Sequence, residues 1–108
     1  MKNSLSQKLI LSCALICFSP FAVLKAQNAE KGAELFKQCI SCHGQNGEGN
    51  PAMKAPKLSG QYDWYILKQL KDKKAQKLRK NEAMMPFLNK LSETDMADLA
   101  LYISKLSI

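Results

Sequence analysis

One histidine, His43, and one arginine, Arg79, are all that the 108-residue sequence holds of those side chains. No second imidazole therefore competes for the role of His43, and a catalytic site would have a single guanidinium to recruit. Beyond residue 26 the only cysteines are Cys39 and Cys42. A tetrahedral zinc site wants a fourth ligand of the cysteine or histidine type, and none is left after these two thiols and His43. Strand-like alternation is missing, so there is no βαβ frame of the kind a thioredoxin-like dithiol site needs. No internal repeat appears. The longest apolar run, residues 9–24, is broken by Ser12, Ser19 and Pro20; it falls short of the ~20 residues that span a bilayer. Lys and Arg outnumber Asp and Glu by 16 to 9, but no aromatic-rich basic groove accompanies them, and nucleic acid is not called for. What remains, 46% hydrophobic and 23% charged, is ordinary for one small globular domain. A domain this small buries a modest share of its surface, so a group filling its core would help it fold.

The first 26 residues have the build of an export signal. Lys2 and Lys8 give a positive start, the apolar run follows, and Ala26 offers a small residue for cleavage. Leu24 stands where a small residue is preferred, which leaves the cleavage point open, and an uncleaved N-terminal anchor is the alternative. Cys13 and Cys17 fit a lipoprotein signal poorly. The expected division is a signal peptide over 1–26 and one domain over 27–108. Removal of the signal takes away Lys2, Lys8 and Lys25, leaving 13 basic residues against 9 acidic ones and lowering the formal charge from +7 to +4.

The chain is organised around Cys39-Ile40-Ser41-Cys42-His43, the Cys-x-x-Cys-His signal for attachment of c-type haem. Two thiols at this spacing on one helical turn can each add across one haem vinyl group and form a thioether. The imidazole that follows then lies against one haem face and can bind the iron as proximal ligand. A proline carbonyl downstream can accept the other ring N–H, fixing the tautomer and raising the basicity of the ligand. Pro56 is the candidate, and a plain loop proline is the alternative. Met84-Met85-Pro86-Phe87 precedes the last helix, where a distal thioether ligand would arise; two gap-filling core methionines are the alternative.

Around this motif the pattern is helical. Asn28 can cap a first helix, with Glu30 in its first turn. Ala29, Ala33, Phe36 and Ile40 recur at helical spacing, as do Gly32, Leu35 and Phe36. Gly32 inside that helix implies close approach of another element. Residues 44–55 are rich in turn formers and form a loop. Residues 62–78 are expected as a helix with Tyr65, Ile66, Gln69 and Leu70 on one side. Lys68, Lys71, Lys73, Lys74, Lys77, Arg79 and Lys80 lie on the other side and in the following turn. That charge is either a solvated face or a patch steering an acidic partner. Ser92, with Asp95 three residues on, begins the last helix. Met96, Leu99, Ala100, Ile103 and Leu106 give its buried face, and Leu99 and Tyr102 can reach the first helix.

From Asn28 onward the sequence resembles the class I c-type cytochromes, both the small single-haem proteins of bacterial periplasms and one half of their two-haem relatives. The resemblance is carried by Gly32-Ala33-Glu34-Leu35-Phe36, by Cys39-x-x-Cys42-His43-Gly44, and by Pro56-Lys57-Leu58-Ser59-Gly60-Gln61. Tyr65-x-x-Lys68-Gln69-Leu70 and Leu91-Ser92-Glu93-Thr94-Asp95, running into Leu99-Ala100-x-Tyr102-Ile103, complete it. It implies an all-α cytochrome c fold, three to five helices wrapped around one haem held by Cys39 and Cys42. His43 and a methionine would be the axial ligands. Spacing to the Leu91-Ser92 step selects Met84, as in most relatives, whereas the position before a proline selects Met85.

The implied function is that of a periplasmic one-electron carrier of a respiratory chain, not an enzyme, with its haem edge ringed by residues such as Lys54 and Lys57. Redox proteins (an oxidase, reductase or peroxidase, with acidic docking surfaces a natural match) would be its partners, with no nucleic acid and no stable membrane anchor. Two alternatives stand beside this. One is a haem protein with an open distal site, against which the shortage of histidine and arginine argues. The other is a haem c subunit of a larger membrane-bound oxidoreductase.

Overall fold

The computed structural model describes residues 27–77 and 82–107. The expected signal over 1–26, and Arg79 and Lys80 of the basic face, lie outside the described residues. The first helix, α1 (Ala29–Phe36), starts where Asn28 accepts from the backbone N–H groups of Glu30 and Lys31 at 3.0 and 3.2 Å. Those are two of the donors that every helix start leaves unpaired. A one-turn helix, α2 (Ile40–His43), follows with Cys39 at its N-cap and ends at Gly44, φ 89°. Positive φ there is cheap for glycine alone. After a loop with a 3₁₀ turn (Pro51–Met53) come α3 (Asp63–Lys74), α4 (Met85–Leu88) and α5 (Glu93–Ser104). Among the described residues there is no strand, only an isolated bridge between Asn50 and Ala55. The expectation of an all-helical fold with three to five helices is met. Among the same residues no helix is long and apolar enough to cross a membrane.

The core is built where α1 and α3 pack on α5. Phe36, Ile66, Leu70, Leu88, Leu91, Met96, Leu99, Ala100 and Ile103 are its buried apolar residues. Phe36, Leu99 and Ile103 are fully buried, each contributing roughly 1.5–3 kcal/mol of apolar burial. At the α1–α5 crossing a Cβ on Gly32 would lie 2.7 Å from Tyr102 Cβ and 2.8 Å from the Asp98 carbonyl carbon. The backbones meet there because nothing projects between them. One turn on, the Phe36 and Tyr102 rings sit 5.4 Å apart and tilted by 51°, a favourable aromatic geometry.

The ends of the α1–α5 pair are tied by polar contacts. Ser92 and Asp95 form the reciprocal capping pair, both bonds at 3.0 Å. The backbone N–H of Ser92 holds the Asp95 carboxyl below the usual carboxylate range, with smaller help from its hydroxyl and from Lys31. Asp98, buried, accepts from the backbone N–H of Asn28 at 2.7 Å.

Helix α3 departs from expectation in three ways. It ends at Lys74, short of residue 78, because Gln76 takes a left-handed conformation, φ 55°. Gln76 N–H donates to Lys73 and Lys77 N–H to Asp72, both at 3.0 Å; these two bonds close a Schellman stop. Tyr65 is 41% exposed rather than inward, since the buried stripe is only Ile66 and Leu70. With Tyr62 and Trp64 it forms an outward aromatic cluster, ring centroids 6.3 and 6.0 Å apart. The basic face is also partly engaged: Lys68 pairs with Asp72 at 2.5 Å, and Lys74 turns inward to the Leu91 carbonyl.

Candidate functional site

Cys39, Cys42 and His43 line one cavity of about 340 Å³, together with Met84. The turn that follows α1 delivers Cys39, whose N–H donates to Phe36 O at 2.8 Å, and α2 carries Cys42 and His43, with His43 N–H donating to Cys39 O at 2.9 Å. Both sulfurs belong to one helical turn, as the motif requires, and the two thiols are not bonded to one another. Burial, and then the neighbouring Cys42, push the Cys39 thiol up to about 11. That direction disfavours the thiolate through which dithiol exchange runs. Among the described residues no group of three or more His, Cys, Asp and Glu side chains is placed to hold a metal ion by itself. Those residues therefore offer zinc no donor set.

His43 is buried, and its Nδ1 lies 2.9 Å from the Pro56 carbonyl oxygen. A carbonyl only accepts, so Nδ1 carries a proton, which in the neutral ring leaves the Nε2 lone pair for a metal. The loop is built to put that carbonyl there. Gly49 N–H donates to His43 O at 2.7 Å. Gly47 O collects three donors: Leu58 N–H at 2.7 Å, Ser59 N–H at 3.1 Å and the buried Ser59 hydroxyl at 3.3 Å. Asn50 and Ala55 exchange backbone bonds at 2.8 and 3.0 Å, one residue before Pro56.

Leu70 from α3, Leu88 from α4, Leu91, and Leu99 from α5 give the wall its aliphatic part, and Gln38 lines it as well. Met84 is the N-cap of α4, not a residue of an open loop; Phe87 and Leu88 N–H groups both donate to its carbonyl at 3.0 Å. Met84 lines the cavity. Met85 packs against the core without lining it. At the mouth stand Met53 and Phe87, both exposed, and Lys54, while Lys57 lines a shallower neighbouring depression. Met53 and Phe87 escape sequence reasoning because lone apolar residues in short turns carry no periodic signal. A flat, apolar, iron-bearing macrocycle fits this donor set: two thiols, one imidazole with a fixed tautomer, one thioether, and aliphatic walls.

Comparison with known proteins gives a consistent result. The family model for cytochrome c matches residues 29–107. Cytochrome c4 of Stutzerimonas stutzeri is 40% identical over 87 residues, covering 73% of this chain and 41% of that protein. A thiosulfate dehydrogenase electron acceptor of Thiomonas intermedia (strain K12) is 41% identical over 68 residues, covering 63% of this chain and 31% of that protein. The crystal structure of reduced recombinant cytochrome c4 from Pseudomonas stutzeri superposes with a TM-score of 0.65 at 34% identity, over 73% of this chain and 48% of that one. The chain thus spans less than half the length of these relatives.

Proposed function

The chain belongs to the cytochrome c family, and from that premise we propose that it is an exported, periplasmic one-electron carrier and not an enzyme. Membership of the family brings one covalently attached haem c. When bound, the haem supplies an iron that gains or loses one electron without exchanging atoms. Cys39 and Cys42 would hold the macrocycle through thioethers, which prevent its loss on dilution. His43 would ligate through Nε2, and Pro56 keeps a proton at Nδ1 and the ring in one orientation. Met84 would supply a thioether ligand to the iron. Leu70, Leu88, Leu91 and Leu99 exclude water; an apolar setting and thioether ligation both favour the ferrous state and raise the potential.

The observation that supports this most is the meeting of both thiols, the imidazole and one methionine on a single apolar cavity. The electron-acceptor role in the name of the Thiomonas relative points the same way. Partners are redox proteins that touch the cavity mouth at Met53, Lys54 and Phe87. The contact is a small, weak encounter suited to rapid exchange. Steering by the α3 lysines is weaker than their number suggests, because Lys68 is already paired and Lys74 is turned inward.

Visible spectra of the reduced protein with and without carbon monoxide test the ligation. An unchanged low-spin spectrum is expected; a shift would mean that no methionine closes the distal face. Met84→Ala should bind carbon monoxide and lose the methionine-to-ferric-iron charge-transfer band. Its potential should fall by on the order of 0.2 V, a fraction of the roughly 0.8 V that axial ligation spans. Met85→Ala should keep both the band and the potential, and the reverse pattern would transfer the role to Met85.

A further inference from the structure

We propose that Lys74 is a positioning residue for the distal methionine, clamping shut the segment that carries it. The inference rests on the reading of Met84 as axial ligand. Lys74 is the last residue of α3, one turn beyond cavity-lining Leu70, so its stem runs along the core side of that helix. Its Nζ donates to the carbonyl of Leu91, 17 residues on, in a part-buried bond. Leu91 itself is buried and lines the cavity.

The position of that carbonyl gives the bond its meaning. Leu91 lies between α4 and α5; the first turn of α5 begins one residue later, where Met96 N–H donates to Ser92 O. Neither helix supplies the Leu91 carbonyl with a donor, and among the described residues the Lys74 ammonium is what reaches it. A carbonyl left unpaired in a part-buried position is costly, and a charged donor makes the stronger type of bond. Between Lys74 and Leu91 the chain leaves α3, passes through α4 and carries Met84. The bond therefore ties the Met84–Leu91 stretch to the end of α3, shortening the span over which the methionine can swing away from the cavity. Lys74 touches neither the thioether nor the space for the iron; it acts through the backbone it holds.

The test is competition by added imidazole, which binds ferric iron only when the methionine leaves. It is followed by loss of the methionine-to-iron charge-transfer band in the purified holoprotein. Lys74→Met should bind imidazole roughly tenfold more tightly than wild type, Lys74→Gln should fall between, and Lys74→Arg should stay near wild type. Lys68→Met, which breaks a surface pair on the same helix, should leave the affinity unchanged. If Lys74→Met does not mature with haem, the comparison of Lys74→Gln with wild type carries the test. Wild-type affinity in the Met and Gln variants, or an equal rise in Lys68→Met, overturns the proposal. A wild-type protein that lacks the charge-transfer band overturns the ligation reading itself, and the spectrum of the unmutated protein tells the two failures apart.

Discussion

Gly32 shows how much a missing side chain can specify. Its hydrogen lets α1 touch the carbonyl of Asp98, and the overlap a methyl group would create is with backbone, which cannot rotate away. Gly32→Ala should therefore cost about 2–3 kcal/mol despite the gain in helix propensity, seen as a lower midpoint in denaturant unfolding of the holoprotein. Much at this scale was legible in the sequence. The spacing of Cys39, Cys42 and His43 states its own chemistry, and a helical glycine announces a close neighbour. The Pro56 carbonyl was within reach of inference because an iron-binding imidazole needs a partner for its second nitrogen. Asp98 was not. A lone acid between apolar neighbours looks like a surface residue, and only the fold shows that it receives the N–H of Asn28 from 70 positions away.

At the scale of elements, the two ends of α3 and α5 contrast. The start of α5 was plain from Ser92 and Asp95, since a capping pair is a local pattern of known spacing. The end of α3 was hidden, because its Schellman stop uses Gln76 where glycine is the usual residue. Left-handed backbone costs a residue with a Cβ roughly 1–2 kcal/mol. Gln76→Gly should therefore stabilise the protein by about 1 kcal/mol, read as a rise in unfolding midpoint with the visible spectrum unchanged. The buried face of α3 is also not fixed by the pattern alone. Tyr65 and Ile66 are adjacent, 100° apart on the helix, and only tertiary packing decided that Ile66 and Leu70 define the stripe. Likewise α4 is too short for its periodicity to be seen, and Pro86 at its start is equally at home in a loop.

Across the whole molecule, the cavity sits where a domain of this size would otherwise place its central side chains. Leu70, Leu88, Leu91 and Leu99 line it and belong to the core at the same time. The haem is thus a structural member as well as a redox one, and the chain without it has a core with its middle missing. A Cys39→Ala/Cys42→Ala double variant, unable to attach haem, should lose most of its helical circular dichroism and its cooperative unfolding transition. Retention of native helicity and a sharp transition would show that the polypeptide alone carries the fold. The charge balance, by contrast, misleads at this scale: it counts lysines without revealing which are already engaged.

The Asn50–Ala55 bridge separates two kinds of change that a lineage can make. Its paired backbone bonds seal the base of the four-residue excursion holding Met53 and Lys54, and Pro56 follows outside the seal. Residues inside can be exchanged, or the excursion lengthened, while the carbonyl that orients His43 stays where it is. On the proposed reading, the rim that partners would touch can in this way be redrawn while the hydrogen bond from His43 to Pro56 is left as it is.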